Sequence, residues 1–219
     1  MLLALAIAVI PVLPVKAQRA LPDDNLAYPV LITLSHGSTG SGFFLNTHQA
    51  VYLVTAKHVL FNPDTQKLID NQAELTAYSK DPSDGESNVI SLNLESLERI
   101  GDIKNHPLHD VTVVKIGDIP RQDQPSANAK ESTQRALSME PGVVVTKKAK
   151  LGIVGVPEEG IKIFNQMLIG NDIIVFGYPT SLGLQTKPQL DLRRPLLRKG
   201  IVAGENLLTR SIVLDCPVY

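Results

Sequence analysis

Cysteine occurs once in this chain of 219 residues, at Cys216, so no internal disulfide can hold the fold together. Oxidising compartments reward disulfides in small secreted eukaryotic proteins. A single thiol therefore fits a bacterial periplasmic or secreted origin better. An excess of charge is also missing: Lys and Arg total 21 against 22 Asp and Glu, and no basic cluster goes beyond Lys147-Lys148. That balance argues against nucleic acid as a partner. The 5 histidines are never spaced i, i+4 and there is no cysteine pair, so metal-ligand spacing is absent. No glycine-rich phosphate loop occurs either, and no cofactor is expected. Long helical periodicity is lacking too; the best short helix is Glu131–Met139.

What the chain does contain is strand signal. Hydrophobic residues make up 43%, enough for a sizeable core. Short runs rich in Val, Ile, Leu, Phe and Tyr predict strands at Tyr28–Ser35, Ser41–Leu45, Val51–Thr55, Ala73–Ser79, Val89–Leu94 and Val111–Ile116. Turn chemistry separates them, as in His36-Gly37-Ser38-Thr39-Gly40, Asp81-Pro82-Ser83-Asp84-Gly85 and Gly101–His109. Residues 119–142 turn polar and proline-punctuated, a linker of about twenty residues, long for the inside of one compact domain. Strands resume at Val143–Thr146, Lys150–Val156, Asp172–Gly177, Arg198–Ala203 and Ser211–Cys216, with a bulge expected in Gly200–Gly204. Two groups of strands predict an all-β protein of two small antiparallel barrels, which close on themselves to avoid exposed edges. The expected division is 18–118, linker 119–142, and 143–219 as a partial second barrel.

Met1–Val15 is almost wholly apolar and is followed by Val15-Lys16-Ala17, with small residues at the minus-three and minus-one positions of a cleavage site. This predicts a signal peptide, residues 1–17, and a mature chain starting at Gln18 in the periplasm or medium. Pro11 and Pro14 interrupt the run, which is too short to span a bilayer comfortably, and no Lys or Arg precedes it. No membrane contact is expected after cleavage.

Two motifs carry chemistry. Thr55-Ala56-Lys57-His58 closes the apolar strand Ala50–Val54, and Asp110 opens the run Val111–Ile116. A histidine placed directly after a buried strand can serve as a base near neutral pH. An aspartate at a strand mouth can orient it, provided the carboxylate is buried against the second ring nitrogen. The bland alternatives are a packed or surface histidine at a strand end and an ordinary strand-start aspartate. His36, His48, His106 and His109 lie in turn-like segments and keep that bland role. Asp102 and Asp118 are the rivals of Asp110, but neither precedes a strand in the right phase.

These motifs, with Gly40-Ser41-Gly42-Phe43-Phe44, Gly177-Tyr178-Pro179 and Pro195–Gly200, resemble the trypsin-like serine peptidases over nearly all of residues 28–219. The resemblance implies a two-barrel fold, His58 as general base, Asp110 as orienting acid and a polypeptide substrate. It also implies a nucleophilic serine in a Gly-Asp/Asn-Ser-Gly-Gly turn, and no such turn occurs here. Ser41 lies upstream of the histidine strand, and no Gly-Gly follows Ser181 to form an oxyanion hole. Cys216 is followed by Pro217, which cannot donate an amide; a buried strand thiol is the role expected for it. The expectation is therefore a peptidase fragment, inactive as given. The alternative is a non-catalytic peptide- or protein-binding module on a degenerate peptidase fold. Substrate preference and oligomeric state are not legible.

Overall fold

The computed structural model describes residues 23–79, 86–120, 137–149, 152–178, 189, 191–192 and 194–216. The expected signal segment, Ser181, Pro217 and most of Glu131–Met139 lie outside them. A single 3-10 turn at Asp23–Ala27 leads into β1 (Pro29–Leu34), β2 (Thr39–Asn46) and β3 (Ala50–Thr55). One helical turn, α1 (Lys57–Leu60), precedes β4 (Gln72–Tyr78) and β5 (Ser87–Asn93). Helix α2 (Leu94–Ile100), β6 (Ile103–Asn105), β7 (Thr112–Asp118), β8 (Ser138–Met139), β9 (Val143–Lys147) and β10 (Val156–Pro157) follow. The last strands are β11 (Asp172–Gly177), β12 (Leu196–Asn206) and β13 (Ser211–Asp215).

The all-β fold expected from the strand pattern is the one observed. A 10-stranded sheet runs β6-β7-β3-β2-β1-β4-β5-β9, with β8 on β7 and β10 parallel to β2. Burial alternates along β5 and β7, as a one-sided sheet requires. The sheet curls around one core that draws on Val30, Ile32, Phe44, Leu53, Leu75, Ile90 and Val114, and on Ile103 and Val143 from strands at its two ends. Burial of this kind contributes roughly 25 cal/mol per Å² of apolar surface and is the main favourable term. Helix α2 packs against β4, β5 and β6 and seats Leu94 and Leu97 in the core. Asn93 caps it through Oδ1 on the Ser96 amide at 2.9 Å, and Gly101 ends it in the left-handed region at φ 85°.

A second sheet, β11-β12-β13, is antiparallel and carries the expected bulge, between Val202 and Gly204. Tyr178, at the end of β11, is fully buried and its hydroxyl donates to the Pro29 carbonyl at 3.0 Å. Three expectations need correction. Val143–Thr146, placed at the head of the second unit, falls in β9, which is hydrogen-bonded to β5 in the first sheet. Of Lys150–Val156, only Val156 is in a strand among the described residues, because 152–155 make no ladder. Ser138-Met139, read as the end of a helix, instead pairs with Asp118 and Gly117 of β7.

Candidate active site

Strand pairing brings the two motifs together. In the β3–β7 ladder Thr55 lies opposite Thr112, so the three residues after Thr55 and the two before Thr112 meet at one end of the sheet. Thr55 anchors the end of β3 by donating its hydroxyl to the Ser41 carbonyl at 2.9 Å. The chain then turns through α1, where Phe61 N donates to the Lys57 carbonyl at 2.8 Å. Leu60 and Phe61 are driven into the core, leaving His58 on the outer side. Val59 lies against Gly40 of β2, where any Cβ would overlap its side chain, so only glycine lets α1 settle on the sheet.

Asp110 grips His58 at two points. Its Oδ2 accepts from the imidazole Nδ1 at 2.5 Å and its Oδ1 accepts from the His58 backbone amide at 2.9 Å. Those bonds, the imidazole's first, hold the Asp110 carboxyl below the usual carboxylate range. With Nδ1–H committed to Asp110, Nε2 is left as the proton acceptor. The two-point grip also fixes the ring plane, since the backbone and the side chain of one residue are held by one carboxylate.

The expected burial of Asp110 is not observed. Its side chain is 54% exposed and that of His58 is 63% exposed. Among the described residues no wall covers the pair, and no hydroxyl bonds to His58 Nε2. Beside it opens a cleft of ≈ 320 Å³ whose lining includes Phe61, Pro63, Gln66, Leu108 and His109. Leu108 is 85% exposed and gives the rim an apolar tip.

No family model matches this chain, and no curated protein matches it. Among solved structures, the crystal structure of Deg5 aligns with 90% of this chain and 71% of its own, at 17% identity and a TM-score of 0.46.

The rival aspartates lie elsewhere. Asp118 pairs with Lys115 Nζ at 3.0 Å, and Lys115 also reaches Glu140 at 2.6 Å. Asp102 sits in that same neighbourhood, its carboxyl pushed up by burial first and by Glu140 next. Neither bonds to a histidine. Ser41 is within β2 and Cys216, half-buried, follows β13. Among the other histidines, His48 pairs with Glu159 at 3.1 Å on the surface. His106 and His109 face each other with ring centroids 4.5 Å apart.

Sequence reasoning missed one cluster. His36 Nδ1 lies 3.0 Å from Asp70 Oδ2, His36 Nε2 contacts the Ser38 hydroxyl, and Ser35 donates to the same carboxylate. Turn residues advertise nothing of this. The partnership exists because β1 pairs with β4, placing Ala73 opposite Leu34 and bringing the preceding Asp70 to the β1–β2 turn.

Proposed function

We propose that this chain supplies the base and orienting acid of a trypsin-like serine endopeptidase acting on polypeptides outside the cytoplasm. The observation that carries the reading is the double contact of Asp110 with His58, made across the sheet by residues 52 positions apart. Among the described residues it leaves Nε2 without a partner, beside an open cleft. In this reaction Nε2 removes the proton of a serine hydroxyl as the oxygen attacks the peptide carbonyl. The same nitrogen then returns the proton to the departing amine, and Asp110 stabilises the imidazolium in between. The serine must approach Nε2 from outside the described residues, and no Gly-x-Ser-Gly-Gly turn is encoded within the 219 residues. The 219-residue chain by itself should accordingly be inert towards acylating reagents. Residues 1–17 direct export and are removed by cleavage after Ala17, so N-terminal sequencing of the exported product should begin at Gln18.

Fluorophosphonate labelling with mass-spectrometric mapping tests the catalytic reading. A gene product extended through a Gly-x-Ser-Gly-Gly turn should label at that serine, and His58→Ala should abolish the labelling. Labelling of the 219-residue chain itself, or labelling indifferent to His58→Ala, would overturn it.

A further inference from the structure

The turn that delivers Asp110 is built around an imidazole. His106 N donates to the Val111 carbonyl at 2.9 Å and Val111 N to the His109 carbonyl at 2.9 Å, closing the segment on itself. Inside it, the ring Nδ1 of His106 accepts from two amides, Leu108 N at 3.1 Å and His109 N at 2.9 Å. Among the described residues the same job is done by two asparagines. Asn62 Oδ1 accepts from Asp64 N at 2.9 Å and Thr65 N at 3.0 Å. Asn206 Oδ1 accepts from Leu208 N at 3.0 Å and Thr209 N at 3.2 Å. In each case a side-chain acceptor gathers the amides two and three residues ahead, the local geometry of an Asx-type turn.

We propose that His106 is a positioning residue for the site: its neutral imidazole, as the Nε2–H tautomer, sets the turn that holds Asp110 against His58. Two amide hydrogens pointing at Nδ1 require a lone pair there, so the proton of the neutral ring resides on Nε2. The ring of His109 lies against that of His106, tilted by 34°, and carries the turn onto the lining of the cleft. Asp110 is the next residue, and its carboxylate must meet both Nδ1 and the backbone amide of His58. A turn without its acceptor leaves two amides unsatisfied and frees the backbone that aims that carboxylate. The chain thus sets two histidines in opposite tautomers along one path: Nε2–H at His106 and Nδ1–H at His58.

This inference deepens the proposed function, since it concerns the aim of the same acid, but its test does not depend on catalysis. Nitrogen-15 shifts of the imidazole rings report the tautomer of each histidine directly. In the full chain His106 should register as Nε2–H and His58 as Nδ1–H. His106→Ala should shift His58 away from the Nδ1–H form, whereas His106→Asn, which restores an acceptor for the same two amides, should keep it. An unchanged His58 signal in His106→Ala would overturn the proposal. So would its loss in a folded His106→Asn protein, or Nδ1–H at His106 in the wild type. Should His106→Ala fail to fold, as judged by far-ultraviolet circular dichroism, the His106→Asn spectrum decides alone. Should the peptidase reading fail by labelling, these shifts would be unaffected, so the two failures are distinguishable.

Discussion

Two histidine–aspartate pairs in one molecule share nearly the same contacts and differ in what the second ring nitrogen meets. At both, the carboxylate accepts from Nδ1, 2.5 Å at His58 and 3.0 Å at His36. At both, it also accepts from the backbone amide of the same histidine, 2.9 Å and 3.3 Å. Around His36, however, Nε2 is taken by Ser38 from its own turn, and Ser35 bonds to the same carboxylate oxygen. That network closes on itself and pins the β1–β2 turn to the loop before β4. At His58 no described hydroxyl meets Nε2, and the cleft lies beside it. The lesson is that an aspartate on a histidine is a structural device as readily as a catalytic one. What separates them is whether the remaining nitrogen is spent or available.

The sharpest way to break that contrast is to exchange variants between the pairs. In a product carrying the serine turn, His58→Ala or Asp110→Asn should lower the acylation rate by about 10²–10⁴-fold, the range for removing a general base or its support. His36→Ala and Asp70→Asn should leave that rate within about twofold, because their network ends at Ser38. Equal losses at both sites, measured with the same fluorophosphonate, would erase the distinction. Labelling mapped to Ser38 would invert it.

Stability should separate the pairs next. Leu60, in the same helical turn as His58, is fully buried. Leu60→Ala should cost about 2–5 kcal/mol in urea unfolding, as large-to-small changes in a packed core do, and should loosen α1. His36, Gly37 and Ser38 are themselves exposed. His36→Ala should shift stability by about 0.5 kcal/mol or less, the usual scale for a surface change.

Acid should then distinguish them by range. Both carboxyls are held below their ordinary value, Asp110 chiefly by the His58 ring and Asp70 chiefly by Ser35 and then His36, with Asp70 displaced further. A folded-state carboxyl lowered in this way adds stability that is complete above the ordinary carboxylate range, near about 4. The contribution is lost as the pH falls towards the folded value, so the Asp110 share should go first on acidification and the Asp70 share later. Denaturation midpoints for Asp110→Asn and Asp70→Asn against pH would show it; convergence of either variant with wild type only at alkaline pH would contradict the sign. Smallest of all, Ser35→Ala should raise the pH at which the Asp70 contribution fades while leaving the His58 site untouched.

Much of this molecule was legible beforehand, for reasons that can be located. The strands from β1 to β5 and β7 announce themselves by β-branched and aromatic runs between turn residues, and the structure moves their ends by no more than two residues. Helix α2 was hidden because its seven residues form fewer than two turns and follow directly on a strand signal. Strand β9 was assigned to the wrong sheet because Val143–Lys147 carries a strand pattern but nothing in it names β5 as its partner. The short β6 and β8 were lost in segments whose composition says turn or linker. At the site, His58 and Asp110 were singled out by flanking residues, while the exposure of their pair was not foreseen.

Local information, then, was enough for the class of fold, for most strand positions and for picking out His58 and Asp110 as a candidate pair, because periodicity and flanking residues act over a few positions. Register decided the rest. That Thr55 meets Thr112, that Leu34 meets Ala73 and that Val143 meets Leu92 depends on which strands find each other across dozens of residues. Strand pairing is set by how apolar faces share one core rather than by any single segment. Flanking residues set His58 apart from His36 along the chain, but only the folded sheet brings Asp110 and a cleft to the one and closes the second ring nitrogen of the other upon a serine.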